Sequence, residues 1–190
     1  MIGAWPAETS TGGRQSLYEG TNELPDQMPK FRAEQLRKAV TEQYREVAIT
    51  PAGGFHFNTG LALTENLGYD PKLLDCVPES ANEAFAGVRN PFSIDLPTTG
   101  ERVVDLGSGG GMDALIAALL VGNQGTVTGI DMTAEMRERA TVAARQMGVG
   151  NVSFVEGLVE DQPLPDASID LVISNGVINL CLDKRAAFAE

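Results

Sequence analysis

The segment with the clearest potential for ligand chemistry is an acid followed by a loop of alternating glycines. Asp105 lies at the end of a short apolar run, and Gly107, Gly109 and Gly111 follow before a helical pattern opens at about Asp113. Glycine allows positive φ and lets a ligand approach the main chain closely. The pattern therefore predicts a buried parallel strand, a ligand-binding loop and a helix.

A second acid stands where the next strand is expected to end. Residues 126–130 have the pattern of a strand, and Asp131 follows them, 26 residues after Asp105. An acid at this position of a doubly wound sheet binds the hydroxyls of a ribose. Capping of the following helix is the alternative role for Asp131. The two acids and the loop together predict a nucleoside site.

The glycine spacing argues against a dinucleotide. A dinucleotide site needs G-x-G-x-x-G, whereas the third glycine here is Gly111 and position 112 is a methionine. Asp105 would also repel a pyrophosphate, but it can hydrogen-bond near a zwitterionic amino-acid tail. A NAD-dependent dehydrogenase is therefore the least favoured interpretation.

With these motifs the chain resembles the class I S-adenosylmethionine-dependent methyltransferases. Residues 103–111 look like the first motif of that family and residues 129–133 like its second, while residues 173–180 look most like the arsenite methyltransferase branch. The similarity covers roughly residues 66–190. It implies an α/β fold with a Rossmann-like, doubly wound parallel sheet, which here stops after its fourth strand, and S-adenosyl-L-methionine as cofactor.

The resemblance assigns eight residues to the cofactor and none to a catalytic or metal-binding role; Glu160, discussed below, is the ninth predicted cofactor residue. It implies the methionine end of the cofactor at the first strand and loop, the ribose and adenine after the second strand, and the transfer site after the fourth strand. In that order the residues are Asp105, Gly107, Ser108 and Gly109, then Asp131 and Met132, then Ser174 and Asn175.

Three further side chains have open roles. The acid that the family places after Gly157 for the adenine amine is missing, and Glu160 or backbone amides are expected to replace it; the alternative for Glu160 is a solvated surface charge. Tyr44 contacts the amino-acid end of the cofactor or belongs to the core. Asn175 is the leading residue for lining the transfer site, and no convincing general base is found.

The methyl acceptor is where the chain departs from the arsenite branch. That branch binds the metalloid through thiolates, which are soft ligands, and Val88 and Gly176 stand at two of its cysteine positions. Cys76 and Cys181 are too far along the chain to replace them simply. We therefore expect a methyltransferase with a different, small-molecule acceptor. Arsenite methylation and a catalytically silent cofactor-binding subunit are the alternatives.

Composition disfavours several other partners. The 190 residues include 14 basic and 26 acidic side chains, for a net charge of −12 at pH 7. Such a chain repels nucleic acid and anionic membranes, and it contains no apolar run of about 18 residues that predicts a membrane span. No secretory signal is visible, and two distant cysteines predict free thiols in the cytoplasm.

The elements that must position the site fall into three regions. Residues 1–29 have the composition of a mobile tail, residues 30–98 are expected to form a helical lid, and residues 99–190 form the incomplete Rossmann-like domain. The lid begins with a helix over residues 31–48. Within it, His56 is expected to be a packed or surface residue and not a catalyst.

Strands are predicted at about residues 102–106, 126–130, 151–156 and 169–174, with helices between the first three. Asp70 and Thr133 are expected to cap helices, and Asp183 to begin the last one. The fourth strand would lie beside the first with its outer edge unpaired. We expect the chain to be a fragment of a longer protein; the alternative is that a partner chain covers this edge.

Overall fold

The structure is a computed structural model that describes residues 30–55 and 57–190, with side chains from residue 33 onward. The expectations for residues 1–29 and for His56 lie outside these residues. None of the described helices combines the length and the apolar character needed to cross a bilayer.

A four-stranded parallel sheet forms the centre of the described chain. Its strands are β1 (Arg102–Leu106), β2 (Thr126–Asp131), β3 (Val152–Glu156) and β4 (Leu171–Ser174). Their spatial order is β3-β2-β1-β4, and every pairing is parallel. The predicted strands and the position of β4 beside β1 are confirmed, although β3 and β4 begin one and two residues later than predicted. β4 ends the sheet formed by the described residues.

Seven α-helices surround or precede this sheet in the described residues. They are α1 (Lys30–Ile49), α2 (Leu61–Asn66), α3 (Pro71–Leu74), α4 (Glu79–Glu83), α5 (Met112–Val121), α6 (Ala134–Met147) and α7 (Lys184–Ala189). Side chains of α5 and α6 pack on one face of the sheet and a side chain of α7 on the other. Because side chains alternate along a strand, Val103 and Val104 enter opposite cores and are each 1% exposed. This is the predicted Rossmann-like α/β arrangement.

Local sequence signals explain several helix ends. The Asp70 carboxylate accepts a hydrogen bond from the Lys72 backbone N–H and so caps α3. Asp183 caps α7 in the same way. Gly148 takes the left-handed conformation with φ 67° and ends α6. Each of these ends follows from residues close in sequence, which is why the pattern predicted those at Asp70 and Asp183.

Helices α1–α4 pack against the sheet domain instead of enclosing a core of their own. Tyr69, Leu74 and Phe85 share one hydrophobic cluster with Val103 of β1. On α6, the Arg139 guanidinium donates to the backbone oxygens of Ala48 and Ser80 and pairs with Glu83 at 2.7 Å. One side chain thus ties α1 and α4 to α6, next to the carboxyl edge of the sheet.

Candidate functional site

A cleft opens at the carboxyl ends of β1, β2 and β4. The strand order reverses between β1 and β4, and this crevice is the usual ligand site of open α/β sheets. The glycine loop, α1 and residues 84–87 complete its walls. It encloses about 1070 Å³ including the part open to solvent, which is enough for a nucleoside-sized ligand.

Asp105 forms the floor of the cleft. The residue is 2% exposed, and its carboxylate accepts a hydrogen bond from the Ala114 backbone N–H. Its Oδ2 atom and the Ser108 hydroxyl are buried and have no hydrogen-bond partner among the described residues. Burial raises the pKa of Asp105 well above its usual value, and the neighbouring carboxylates of Asp113 and Asp131 raise it further. A buried acceptor without a donor favours a ligand that brings a cationic N–H group.

The glycine loop places its backbone against this floor. Gly107, Gly109 and Gly111 have φ values of 71°, 52° and 90°, as predicted. A Cβ atom at Gly107 would overlap the Val177 side chain, whereas a Cβ at Gly109 would meet no atom within 4 Å. Gly107 is therefore needed for packing, and the backbone at Gly109 is open to a ligand.

Asp131 is bound to the loop and to the start of α6. Its Oδ2 accepts from the Gly109 N–H and its Oδ1 from the Thr133 N–H, both at 2.8 Å. Burial raises the pKa of Asp131 and these hydrogen bonds oppose the rise. Neither bond reaches an N–H inside α6, so the helix-capping alternative is not supported. Two carboxylate oxygens offer about four acceptor sites, so capacity for a ribose is left.

The prediction for Thr133 is confirmed for its position and wrong for its side chain. The residue occupies the N-cap position of α6, yet its side chain makes no capping hydrogen bond with the described helix residues. Its hydroxyl instead bonds to the Asp131 carboxylate. The Asp131 carboxylate accepts from the N–H of this N-cap residue and not from an N–H within α6.

Eight of the nine predicted cofactor residues line the cleft. They are Asp105, Gly107, Ser108, Gly109, Asp131, Met132, Glu160 and Asn175. Ser174 is not among the lining residues that the structure describes, and its hydroxyl donates to the Leu106 carbonyl oxygen at 3.2 Å.

Two residues with open roles, Glu160 and Tyr44, both line the cleft. The Glu160 side chain is 11% exposed and accepts from the Leu182 N–H at 3.0 Å, so the surface-charge alternative is wrong. Tyr44 lines the cleft and stacks on Phe57 with ring centroids 6.2 Å apart. Burial first, and then the Asp131 carboxylate, raises the pKa of Tyr44.

A buried polar cluster at the wall of the cleft was not predicted. The Asp113 carboxylate accepts from the Tyr69 hydroxyl at 2.7 Å and from the Asn175 amide at 3.0 Å. Burial raises the pKa of Asp113 to about 6, although both hydrogen bonds act in the opposite direction. The position of Asp113 directly after the glycine loop was the available signal, while nothing near Tyr69 in the sequence indicated its role.

The two positions that carry cysteines in the resembled branch are neighbours in space. A Cβ atom at Gly176 would lie 3.6 Å from Cγ1 of Val88, although the residues are 88 apart in sequence. Cys181 is buried and lines the cleft. Cys76 is exposed, its thiol lies 3.2 Å from the Lys72 carbonyl oxygen, and it is not among the described lining residues. The cleft thus holds one thiol from the described chain.

Comparison with known proteins gives a consistent picture. Residues 97–190 match a family model described as a methyltransferase domain. The arsenite methyltransferase of Halobacterium salinarum is 34% identical over 169 residues, which are 82% of this chain and 43% of that protein. The aklanonic acid methyltransferase of a Streptomyces species is 38% identical over 101 residues, covering 53% of this chain and 46% of that protein.

A solved structure agrees with the fold. The crystal structure of an arsenic(III) S-adenosylmethionine methyltransferase from Chlamydomonas reinhardtii matches with a TM-score of 0.51 and 37% identity, over 70% of this chain and 44% of that chain. The chain therefore spans less than half the length of each of these relatives. The similarity extends from the sheet domain into the helices that precede it.

Proposed function

Because this chain belongs to the class I S-adenosylmethionine-dependent methyltransferases, we propose that it binds S-adenosylmethionine in the cleft and serves methyl transfer to a small organic acceptor. One observation carries the proposal. The buried Oδ2 of Asp105 has no donor among the described residues and lies at the foot of a loop whose backbone is open at Gly109.

The residues present fit this cofactor. Asp105 suits the ammonium of the methionine end, because a buried carboxylate gains most from a cationic donor. Asp131 has acceptor capacity for the ribose hydroxyls, and the polarizable Met132 beside it suits the face of a purine. When bound, S-adenosylmethionine supplies an electrophilic methyl group on a sulfonium.

The contribution of this chain is to hold and orient the reactants and to exclude water. Four carboxylates and one guanidinium line the cleft among the described residues: Asp105, Asp113, Asp131, Glu160 and Arg37. This charge distribution favours a cationic cofactor and disfavours an anionic acceptor. A neutral small organic molecule is the acceptor that fits best.

The thiol count supports an acceptor other than arsenite. Trivalent arsenic needs two or three thiolates at once, and the described part of the cleft offers only Cys181. Val88 and Gly176, which lie side by side, provide no thiol. The Streptomyces relative, of comparable identity, is named for aklanonic acid and not for arsenite.

Two measurements on the intact protein test the proposal. Calorimetric titration with S-adenosylmethionine is expected to show binding; absence of binding would refute the cofactor assignment. Mass spectrometry then follows S-adenosylhomocysteine formed with a panel of neutral phenols, amines and ketones, and with arsenite plus excess thiol. Product from an organic acceptor supports the proposal, methylarsenic at a comparable rate overturns the acceptor class, and binding without any product favours the silent subunit.

A further inference from the structure

We propose that Asn175 is a positioning residue whose side-chain amide fixes the backbone of residues 84–89, here called the wall segment, against the end of β4. The inference rests on the proposed function, because residues 84–87 of this segment line the proposed cofactor cleft. It gives Asn175 a role other than direct contact with the acceptor.

The hydrogen bonds of Asn175 define its role. Its Oδ1 atom accepts from the backbone N–H groups of Val88 and Arg89, at 2.8 and 3.2 Å. Its Nδ2 group donates to the Arg89 carbonyl oxygen at 2.6 Å and to Asp113 Oδ2 at 3.0 Å. Only an oxygen can accept from two N–H groups, so the orientation of the amide is unambiguous. Both hydrogens and both lone pairs of the amide are therefore engaged by protein groups.

The surroundings hold the amide in this position. The buried Asp113 carboxylate also accepts from the Tyr69 hydroxyl, which lies 3.1 Å from Asn175 Nδ2. A Cβ atom at Gly87 would overlap the Asn175 amide and the Phe85 ring. The amide thus packs directly on the wall segment, and its Nδ2 group is also held by Asp113 of α5.

The same segment touches the glycine loop. A Cβ atom at Gly110 would lie 3.0 Å from the Cβ of Ala84. The wall segment is therefore in contact with the loop at one end and held by Asn175 at the other. Without the hydrogen bonds of Asn175, the wall segment is no longer held at a fixed distance from the glycine loop.

The hydrogen bonds by which Asn175 holds Val88 and Arg89 are here called the clamp. Amide hydrogen exchange in the ligand-free intact protein tests whether this clamp exists. Asn175→Ala is expected to speed exchange at the Val88 and Arg89 amides by about fivefold to thirtyfold, as for the loss of one or two hydrogen bonds. Asn151→Ala is the matched control, because the Asn151 amide also makes two hydrogen bonds, to Ala118 and Gly122, away from the cleft. Equal exchange rates of the Val88 amide in the unaltered protein, Asn175→Ala and Asn151→Ala would overturn the proposal.

A second variant covers the case in which Asn175→Ala does not fold. Tyr69→Phe removes one contact of the Asn175 amide, one donor to Asp113 and the hydroxyl's own contact with the Arg89 carbonyl oxygen at 3.2 Å, but it leaves the Oδ1 bonds to Val88 and Arg89 intact. It is expected to speed exchange at Val88 and Arg89 by about twofold to fivefold, with β1 amides unchanged. Faster exchange throughout the protein, or none at the wall segment, would contradict the clamp.

Cofactor titration separates this inference from the proposed function. Asn175→Ala is expected to weaken S-adenosylmethionine binding about threefold to thirtyfold, and Asn151→Ala less than about twofold. A clamp that is lost without any change in affinity would refute a positioning role for Asn175. If the unaltered protein binds no S-adenosylmethionine, the proposed function fails, while the exchange measurements still decide whether the clamp exists.

Discussion

The Asp105→Asn substitution is expected to raise the stability of the ligand-free protein while weakening its affinity for S-adenosylmethionine. Asparagine keeps the shape of the side chain and an acceptor for the Ala114 N–H, but it removes the buried charge. Loss of a charge-assisted hydrogen bond costs roughly 1.5–3 kcal/mol, or about tenfold to a hundredfold in the dissociation constant.

The effect on stability has the opposite sign. Burial raises the folded-state pKa of Asp105, so the folded protein loses stability as pH rises from the unfolded value of 3.8 through that raised pKa. The neutral asparagine avoids this loss, so Asp105→Asn should raise the free energy of unfolding by about 1–3 kcal/mol near neutral pH. The gain should shrink toward pH 4, where the carboxyl group is protonated in both states.

Calorimetry and urea unfolding at pH 7.5 and pH 4.5 measure the two effects. Asp166→Asn is the matched control, because it makes the same chemical change at an exposed residue. Unchanged cofactor affinity in Asp105→Asn would refute the assignment of the cleft floor. A loss of stability at pH 7.5 would refute the argument that the buried charge is unfavourable without a ligand.

Three further predictions concern the other acids and the missing thiols. Asp131→Asn should weaken cofactor binding about tenfold and lower stability by roughly 1 kcal/mol, since one backbone N–H loses its acceptor; calorimetry and urea unfolding measure both. Because the pKa of Asp113 is raised from 3.8 to about 6, the free energy of unfolding should fall by about 3 kcal/mol as pH rises between those values. In Asp113→Asn, urea unfolding at pH 4 and pH 7 should show a correspondingly smaller fall in the free energy of unfolding. Val88→Cys combined with Gly176→Cys should bind arsenite as a thiol pair in a calorimetric titration, although each single variant should not; equal binding by the single variants would contradict the geometry.

The sequence alone predicted the part of the site that lies on consecutive strand, loop and helix units. Asp105 and Asp131 lie at the carboxyl ends of β1 and β2, and the glycines follow β1 directly. Parallel strands bring their carboxyl ends to one edge of a sheet. The spacing of acids and glycines along the chain was therefore sufficient to place them together. The caps at Asp70 and Asp183 were predictable for the same reason, because their partners are two or three residues away.

The tertiary structure decided the roles that depend on residues distant in sequence. Asn175 could be placed at the end of β4, but its engagement by Val88 and Arg89 depends on how the preceding helices dock on the sheet. Tyr69 meets Asp113 across 44 residues, and the hydrogen bond forms only because packing buries both side chains at the same place. Strand and loop patterns in the sequence predict local structure, whereas the pairing of buried polar groups is decided by the packing that removes them from water.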